Sequence, residues 1–370
     1  MEKLRVLQIA DISCGSGVAN FVMNNYRLMN HDEIVYDFVI WREEIGPTFR
    51  KQIEEKGGKI YPVASYSKHP WKQYRQIKKL IKQNGYQVLH AHESVVSAIA
   101  LLAAKRCNVK VRVCHSHSTS MSNILKNTIT RLASWFIGRS ATELCACSEE
   151  AALFLFPHRK VLKGQYHLIP NAISIPECQF VEEIRNETRR ELGIVNSKIM
   201  GHIGRFAVEK NHQWLLKILS ELVSEDKSWK LVLIGDGELR NQIETQAEEL
   251  QIKDHVLFLG FKEKAYRYLN AMDVLVFPSL FEGMPITLIE AQCNGLPCVI
   301  SDTINSKIAI TPLVTSLSLN SDSKHWAKKI KLVSQKGHGD YCSSIVSNGY
   351  DLNQSSQKLT RMYKQMRRKI

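Results

Sequence analysis

Val274-Leu275-Val276-Phe277-Pro278-Ser279-Leu280-Phe281-Glu282-Gly283-Met284-Pro285-Ile286-Thr287-Leu288-Ile289-Glu290 reads as an apolar strand, a loop and the start of a helix. An uninterrupted apolar run of this length suits a strand buried on both faces. Pro278 and Ser279 end it, and Pro285 suits a first helical turn because its missing N–H would be unpaired there anyway. The same strand-to-helix step recurs on both sides. Downstream of residue 183, strands are expected at 198–203, 230–235, 255–260, 273–277 and 297–301, with helices at 209–224, 237–250, 264–270, 286–294 and 322–334. Upstream, strands are expected at 4–10, 34–40, 59–63, 87–91, 109–114 and 142–147, with helices at 17–29, 48–56, 70–84, 93–106, 122–137 and 148–155. Alternation of this kind is the signature of parallel sheets covered on both faces, so the fold class is α/β with two Rossmann-like doubly wound units. Pro170 to Glu183, rich in breakers and polar residues, separates them. The boundaries follow as 1–172 and 185–352, with a terminal helix at about 353–370 expected to return to the first unit.

The length of 370 residues supports this division, because single cores stop growing at roughly 250–300 residues. No apolar run approaches the roughly 20 residues of a membrane-spanning helix, and the N-terminal stretch is too short for a signal peptide, so a cytoplasmic protein is expected. Nine scattered cysteines, an odd number, argue against a disulfide framework, and Cys145 and Cys147 read as packing residues of a buried strand. Lys and Arg exceed Asp and Glu by 50 − 36 = 14. Such a balance points to an anionic partner: a phosphorylated substrate, a membrane surface or nucleic acid. The basic segments lack the interleaved aromatics of a nucleic-acid stripe beyond Trp71 and Tyr74, so nucleic acid is set aside. The terminal helix carries Lys358, Arg361, Lys364, Arg367, Arg368 and Lys369 around a stripe of Leu359, Met362, Tyr363 and Met366, which fits a helix lying on anionic lipid or a basic face closing the fold. The segment from Ile124 to Arg139, with Trp135 and Phe136 among cations, offers a second membrane surface or ordinary core packing.

In doubly wound sheets ligands bind beyond the carboxyl ends of the strands, so the loops there carry the chemistry. In the quoted segment Gly283 lets backbone approach a ligand, and the N–H groups at the helix start, spanning Met284, Pro285, Ile286 and Thr287, face a phosphate, with the Thr287 hydroxyl beside them. Glu282 can accept hydrogen bonds from sugar hydroxyls and Glu290 from a ribose. Gly204-Arg205 follows the strand at 198–203, and Lys210 stands five residues on; two cations there suit a diphosphate and can replace a divalent metal beside a leaving group. The absence of an Asp-x-Asp motif agrees, and no metal or other cofactor is expected. Asp11 to Ala19, with Ser16 and Gly17, is a short glycine loop that can bring backbone N–H groups near a donor phosphate, with Gly17 as the donor-binding candidate, or form a bare turn; it lacks a full dinucleotide or P-loop pattern, and Gly235-Asp236-Gly237 fails the same tests. His90, His92, His115 and His117 end two adjacent strands; they could bind zinc, although only Glu93 accompanies them as a further ligand, and they can instead orient an acceptor, contact a sugar, or serve structure alone.

Gly204-Arg205 with Lys210, Ile234-Gly235-Asp236-Gly237, Val256 to Phe261, and Phe277-Pro278-Ser279 through Glu290-Ala291 resemble the C-terminal half of glycosyltransferase family 4. Ser16-Gly17-Val18-Ala19, the two His-x-His elements and Ile169-Pro170-Asn171 extend the likeness over nearly the whole chain, closest to the subgroup that builds bacterial capsular and exopolysaccharides. The resemblance implies a GT-B fold, an N-terminal acceptor domain, a C-terminal nucleotide-sugar domain, and transfer with retention of configuration. It implies a nucleotide-sugar donor, UDP-sugar favoured, a glycan or lipid-linked acceptor, and a peripheral place on the inner face of the cell membrane. Carried over by position, Arg205 and Lys210 hold the donor diphosphate, Glu282 the transferred sugar and Glu290 the ribose. His115 matches the cleft histidine, with Ser16, His92 and His117 as its neighbours at the acceptor. Ser16-Gly17 departs from a common glycine pair, and Asn171-Ala172 from a common Asn-Gly. A sugar-nucleotide epimerase of the same fold is the alternative function, followed by a non-catalytic nucleotide-binding or nucleic-acid-binding protein.

Overall fold

The computed structural model describes residues 3–12, 17–41, 45, 47–92, 94–118 and 124–368. They form two compact units, Met1–Ala172 with Leu352–Ile370, and Ile173–Asp351. The first holds strands β1 (Leu4–Ile9), β2 (Ile34–Ile40), β3 (Ile60–Pro62), β4 (Val88–Ala91), β5 (Val111–Ser116), β6 (Glu143–Ala146) and β7 (His167–Leu168). The second holds β8 (Lys198–Ile203), β9 (Trp229–Ile234), β10 (Val256–Phe258), β11 (Val274–Phe277), β12 (Cys298–Ser301) and β13 (Val314–Leu317). Their spatial orders are β3-β2-β1-β4-β5-β6-β7 and β10-β9-β8-β11-β12-β13, and the strand pairs are parallel. In each sheet the chain moves outward from a central pair, β1 and β4 in one and β8 and β11 in the other. That reversal opens a crevice at the carboxyl ends of the central strands.

The strands are apolar because helices cover both faces, and the one acid in β2, Asp37, shows the cost of an exception. Arg5 holds it with two hydrogen bonds of 2.7 and 2.5 Å, the Tyr86 hydroxyl donates at 2.6 Å and the Lys59 N–H at 2.7 Å.

The structure departs from the periodicity where the chain is short or polar. Edge strands β7 and β13 are too brief or too mixed to stand out. The helix Glu182–Glu191 lies in a stretch with almost no apolar residues. It forms because Arg185 and Arg189 reach Asp273 at 2.5 and 2.8 Å and donate to the carbonyls of Asn270, Ala271 and Met272. Residues Ala265–Ala271 make a 3-10 rather than an α-helix. The C-terminal helix Leu352–Arg367 returns to the first unit and decides between the two readings of its basic, amphipathic sequence. Its stripe of Leu359, Met362, Tyr363 and Met366 is buried in the core of the first unit, with Val6, Phe38 and Val113, and leaves no apolar face for lipid. Among the described residues no helix is long and apolar enough to cross a membrane.

Candidate active site

Because β8 and β11 are neighbours and their chains leave in opposite directions, the loops that follow them meet. Lys210 comes from the first loop and Glu282 from the second, and Lys210 Nζ lies 2.6 Å from Glu282 Oε1. The pair is largely shielded from water, and the lysine ammonium sits 5.7 Å from the centre of the Phe277 ring. Lys210 does not start a helix as its spacing suggested. It closes a 3-10 turn, Val208–Lys210, and Asn211 then takes a left-handed conformation (φ 54°) before the helix His212–Glu225 begins. That reversal turns the lysine back toward the strand ends.

The second loop is held from beneath. Buried Ser279 donates to Glu282 Oε1 at 2.8 Å, so lysine and serine share one oxygen and Oε2 is left for a ligand hydroxyl. The Ser279 carbonyl accepts from Ser301 Oγ at 2.6 Å and Thr303 Oγ1 at 2.7 Å. Asn211 Nδ2 donates to the Pro278 carbonyl at 3.1 Å, and the Leu280 N–H donates to the Glu209 carbonyl at 2.8 Å, tying one loop to the other. None of these supporting residues was singled out for a role from sequence. Ser279 was the one with a signal, three residues ahead of Glu282.

Glycines let the loops pack this tightly. A Cβ on Gly204 would sit 2.8 Å from His202 Nε2, in the path of Lys210 Cδ at 3.4 Å. Gly235, at φ +139°, presses on the Gly204 carbonyl, which a Cβ would approach to 2.0 Å, and Gly237 meets Phe206 in the same way. The Gly235-Asp236-Gly237 turn is therefore a brace for the loop that carries Lys210. Arg205 stands apart from the pair, 64% exposed, with Glu209 Oε1 at 3.4 Å. His212 below the loop is kept neutral, its pKa lowered to about 4 by burial and by Lys210.

The helix after the second loop spans Ile286–Cys293, with Pro285 in the N-cap place rather than the first turn. No side chain caps it, so its first N–H groups remain available to an anion. Gly283, Met284, Pro285, Ile286 and Thr287 are all half-buried beside Glu282. Glu290 follows one turn into the helix, and burial together with the Glu177 carboxylate pushes its pKa up to about 7. These predicted donor residues belong to the second unit, and Gly17, also expected at the donor, belongs to the first.

In the first unit, Gly17 begins the helix Gly17–Arg27, exposed and with nothing near its Cβ position; Ser16 and Glu93 lie outside the described residues. His90, His92, His115 and His117 form a stack, with successive ring centres 4.1 to 5.5 Å apart. Gln8 Oε1 accepts from His92 Nε2 at 2.8 Å, so His92 Nδ1 accepts in turn from His117 Nε2 at 3.1 Å. His90 Nδ1 accepts from the Tyr363 hydroxyl at 2.6 Å. Burial keeps all four neutral, with His117 lowered to about 4. His115 is fully buried and neither of its ring nitrogens makes a well-formed hydrogen bond, whereas His117 is the half-buried one. Ligand atoms of His90, His115 and Cys145 lie within 4.8 Å of one another, as do those of His92, His115 and His117. Among the described residues these are the groupings able to hold a metal ion, and Cys145 enters one of them although its sequence context reads as strand packing.

Two doubly wound parallel sheets of Rossmann-like type, one in each unit, are the architecture of the GT-B glycosyltransferases. The family model for Glycosyltransferase Family 4 matches residues 16–175, and that for Glycosyl transferases group 1 matches residues 184–351. EpsF of Bacillus subtilis (strain 168) is 35% identical over 370 residues, 97% of this chain and 96% of its own. The chain belongs to glycosyltransferase family 4. An Escherichia coli relative named UDP-Gal:alpha-D-GlcNAc-diphosphoundecaprenol alpha-1,3-galactosyltransferase is 27% identical over 60% of each chain. The Staphylococcus aureus capsular polysaccharide biosynthesis glycosyltransferase CapH is 26% identical over 77% of this chain and 79% of its own. The crystal structure of Anabaena Alr3699/HepE in complex with UDP-glucose shares the fold, with a TM-score of 0.76 at 16% identity over 98% of this chain and 99% of the other.

Proposed function

We propose that the protein transfers a sugar from a UDP-sugar to a lipid-linked glycan, with retention of configuration and without a metal, in capsule or exopolysaccharide assembly. The observation that carries this reading is the 2.6 Å pair of Lys210 and Glu282 at the crevice of the second sheet. Lys210 takes the donor diphosphate, with Arg205 swinging in from solvent and the N–H groups of Ile286 and Thr287 completing the seat. Glu282 receives sugar hydroxyls on its second oxygen, and Glu290 receives the ribose. The acceptor hydroxyl attacks the anomeric carbon on the face the diphosphate leaves. Its oxygen bonds to that carbon, the bond from carbon to phosphate oxygen breaks with its electron pair, and the departing diphosphate takes the acceptor proton. Glu282 is then a holder of the sugar, and no protein nucleophile is needed.

The named activity of the Escherichia coli relative and the UDP-glucose bound by the Anabaena neighbour support this donor and acceptor, and the name of the Staphylococcus aureus relative supports the place in capsule assembly. The first unit takes the acceptor on this reading. His117, the half-buried member of the stack, faces it better than His115.

Thermal melting with UDP-, GDP- and dTDP-sugars tests the donor, since a ligand at 100 times its Kd stabilises by about 2.7 kcal/mol. Stabilisation by UDP-sugars, abolished by Lys210→Ala, is expected. Preference for another nucleotide overturns the donor, a product formed from donor alone marks an epimerase, loss of turnover with EDTA overturns metal independence, and a glycosyl adduct trapped on Glu282 overturns the mechanism.

A further inference from the structure

The helix Ile124–Ser140 is amphipathic in the wrong sense for a simple core helix. Thr130, Ala133, Ile137 and Ser140 are buried, and between them Ile129, Leu132, Trp135 and Phe136 stand 42, 63, 51 and 43% exposed. Spacings of three and four residues put these apolar side chains on one outward face. The Arg139 guanidinium lies 3.8 Å above the Trp135 ring, and Trp135 and Phe136 meet edge to face at 4.8 Å. Arg131, four residues before Trp135, is exposed at the edge of this face. The end of the helix is pinned by further cations, Lys105 donating to the Arg139 carbonyl at 2.8 Å and Lys160 to the Gly138 carbonyl at 3.1 Å. Leu162, 81% exposed, follows Lys160 in the helix His158–Leu162.

We infer that this face docks the protein on an anionic lipid bilayer. A run of exposed Leu, Trp and Phe carries an unfavourable contact with water that insertion at the headgroup boundary removes, and Trp is suited to that boundary because its ring is apolar and its N–H polar. The rim of Arg and Lys supplies attraction to lipid phosphates, in a chain with a formal charge of +14. A protein partner of ordinary composition answers the apolar face but not this rim. The C-terminal helix, the other basic and amphipathic segment, has its apolar side buried and is excluded. The docking surface stands on these contacts alone; only its purpose, bringing the enzyme to a lipid-linked acceptor, rests on the function proposed above.

Flotation of the full chain with phosphatidylglycerol vesicles, against neutral phosphatidylcholine vesicles, tests the inference. Binding at least tenfold stronger to the anionic vesicles is expected, weakened severalfold by high salt. The triple change Leu132→Ser, Trp135→Ser, Phe136→Ser is expected to lower it tenfold or more, and Arg131→Glu with Arg139→Glu to remove the preference for anionic lipid. Charge reversal at Lys358 and Arg361 on the C-terminal helix is expected to act weakly. An unchanged melting temperature and an unchanged thermal shift with UDP show that the variants remain folded and that the donor site is a separate matter. The docking surface is overturned by no flotation of the parent, by equal flotation of parent and triple variant, or by a sedimentation-detected dimer that the triple change dissolves.

Discussion

Glu282 is held through one oxygen by Lys210 and Ser279, which makes its charge as useful to the lysine as its geometry is to a sugar. Neutralising it leaves the ammonium with no counterion, a more attractive place for a diphosphate. Glu282→Gln is therefore expected to bind UDP severalfold more tightly by calorimetry while turnover falls by about 100-fold or more. Weaker UDP binding contradicts the pairing. Glu290 yields a pH signature instead. Its folded pKa of about 7 lies above the ordinary 4.5, so the folded protein holds a proton that the unfolded chain has lost between those values. The stability this contributes is complete below pH 4.5 and disappears as pH rises through 7. Glu290→Gln is expected to melt higher than the parent at pH 8, by on the order of 2 kcal/mol, with the gap closing in acid. Nucleotide affinity in the parent is expected to fall below pH 7, as the carboxylate that accepts ribose hydroxyls is protonated, and to be weak and flat in the variant. Both glutamates were legible in the sequence because a glycine, two prolines and a strand end framed them. Ser301 and Thr303 were not, since what they do depends on β12 lying beside β11.

Among the elements, the glycine turns divide into two kinds that look alike in sequence. Gly235 carries a backbone conformation other residues rarely adopt, and its Cα faces the Gly204 carbonyl. Gly235→Ala is expected to lower stability by about 2–4 kcal/mol in urea denaturation and to abolish nucleotide-induced stabilisation, because the loop carrying Lys210 must move. Gly17 has no atom within 4 Å of a Cβ, so Gly17→Ala is expected to leave the urea midpoint within about 0.5 kcal/mol of the parent. The helix Glu182–Glu191 teaches the converse. Its sequence carries no apolar period to read, and the arginines that hold it find Asp273 only after some 80 residues of intervening chain have folded.

At the scale of the whole molecule, the last residues of the chain complete the core of the first unit. Leu359, Met362, Tyr363 and Met366 are buried there, and Tyr363 joins Gln8, Tyr36 and His90 in one hydrogen-bonded group. Four such side chains stabilise by about 1.5–3 kcal/mol each, together comparable to the roughly 5–15 kcal/mol of an ordinary domain. Removal of residues 352–370 is expected to yield a protein whose first unit loses its cooperative melting transition. A truncated chain with an unaltered transition would overturn this account of the helix.

The sequence by itself determined the two doubly wound units, the family, and the places of Arg205, Lys210 and Glu282 beyond strand ends and of Glu290 in the helix that follows, because apolar period and breaker residues are local properties that survive without a fold. Only the tertiary structure decided which amphipathic helix keeps its apolar face outside. Leu359 to Met366 and Ile129 to Phe136 each carry an apolar stripe beside cations, and burial of one and exposure of the other depends on what the sheet places against them. The pairing of Lys210 with Glu282 and the stacking of the four histidines were decided there too, since each joins residues that strand order alone makes neighbours.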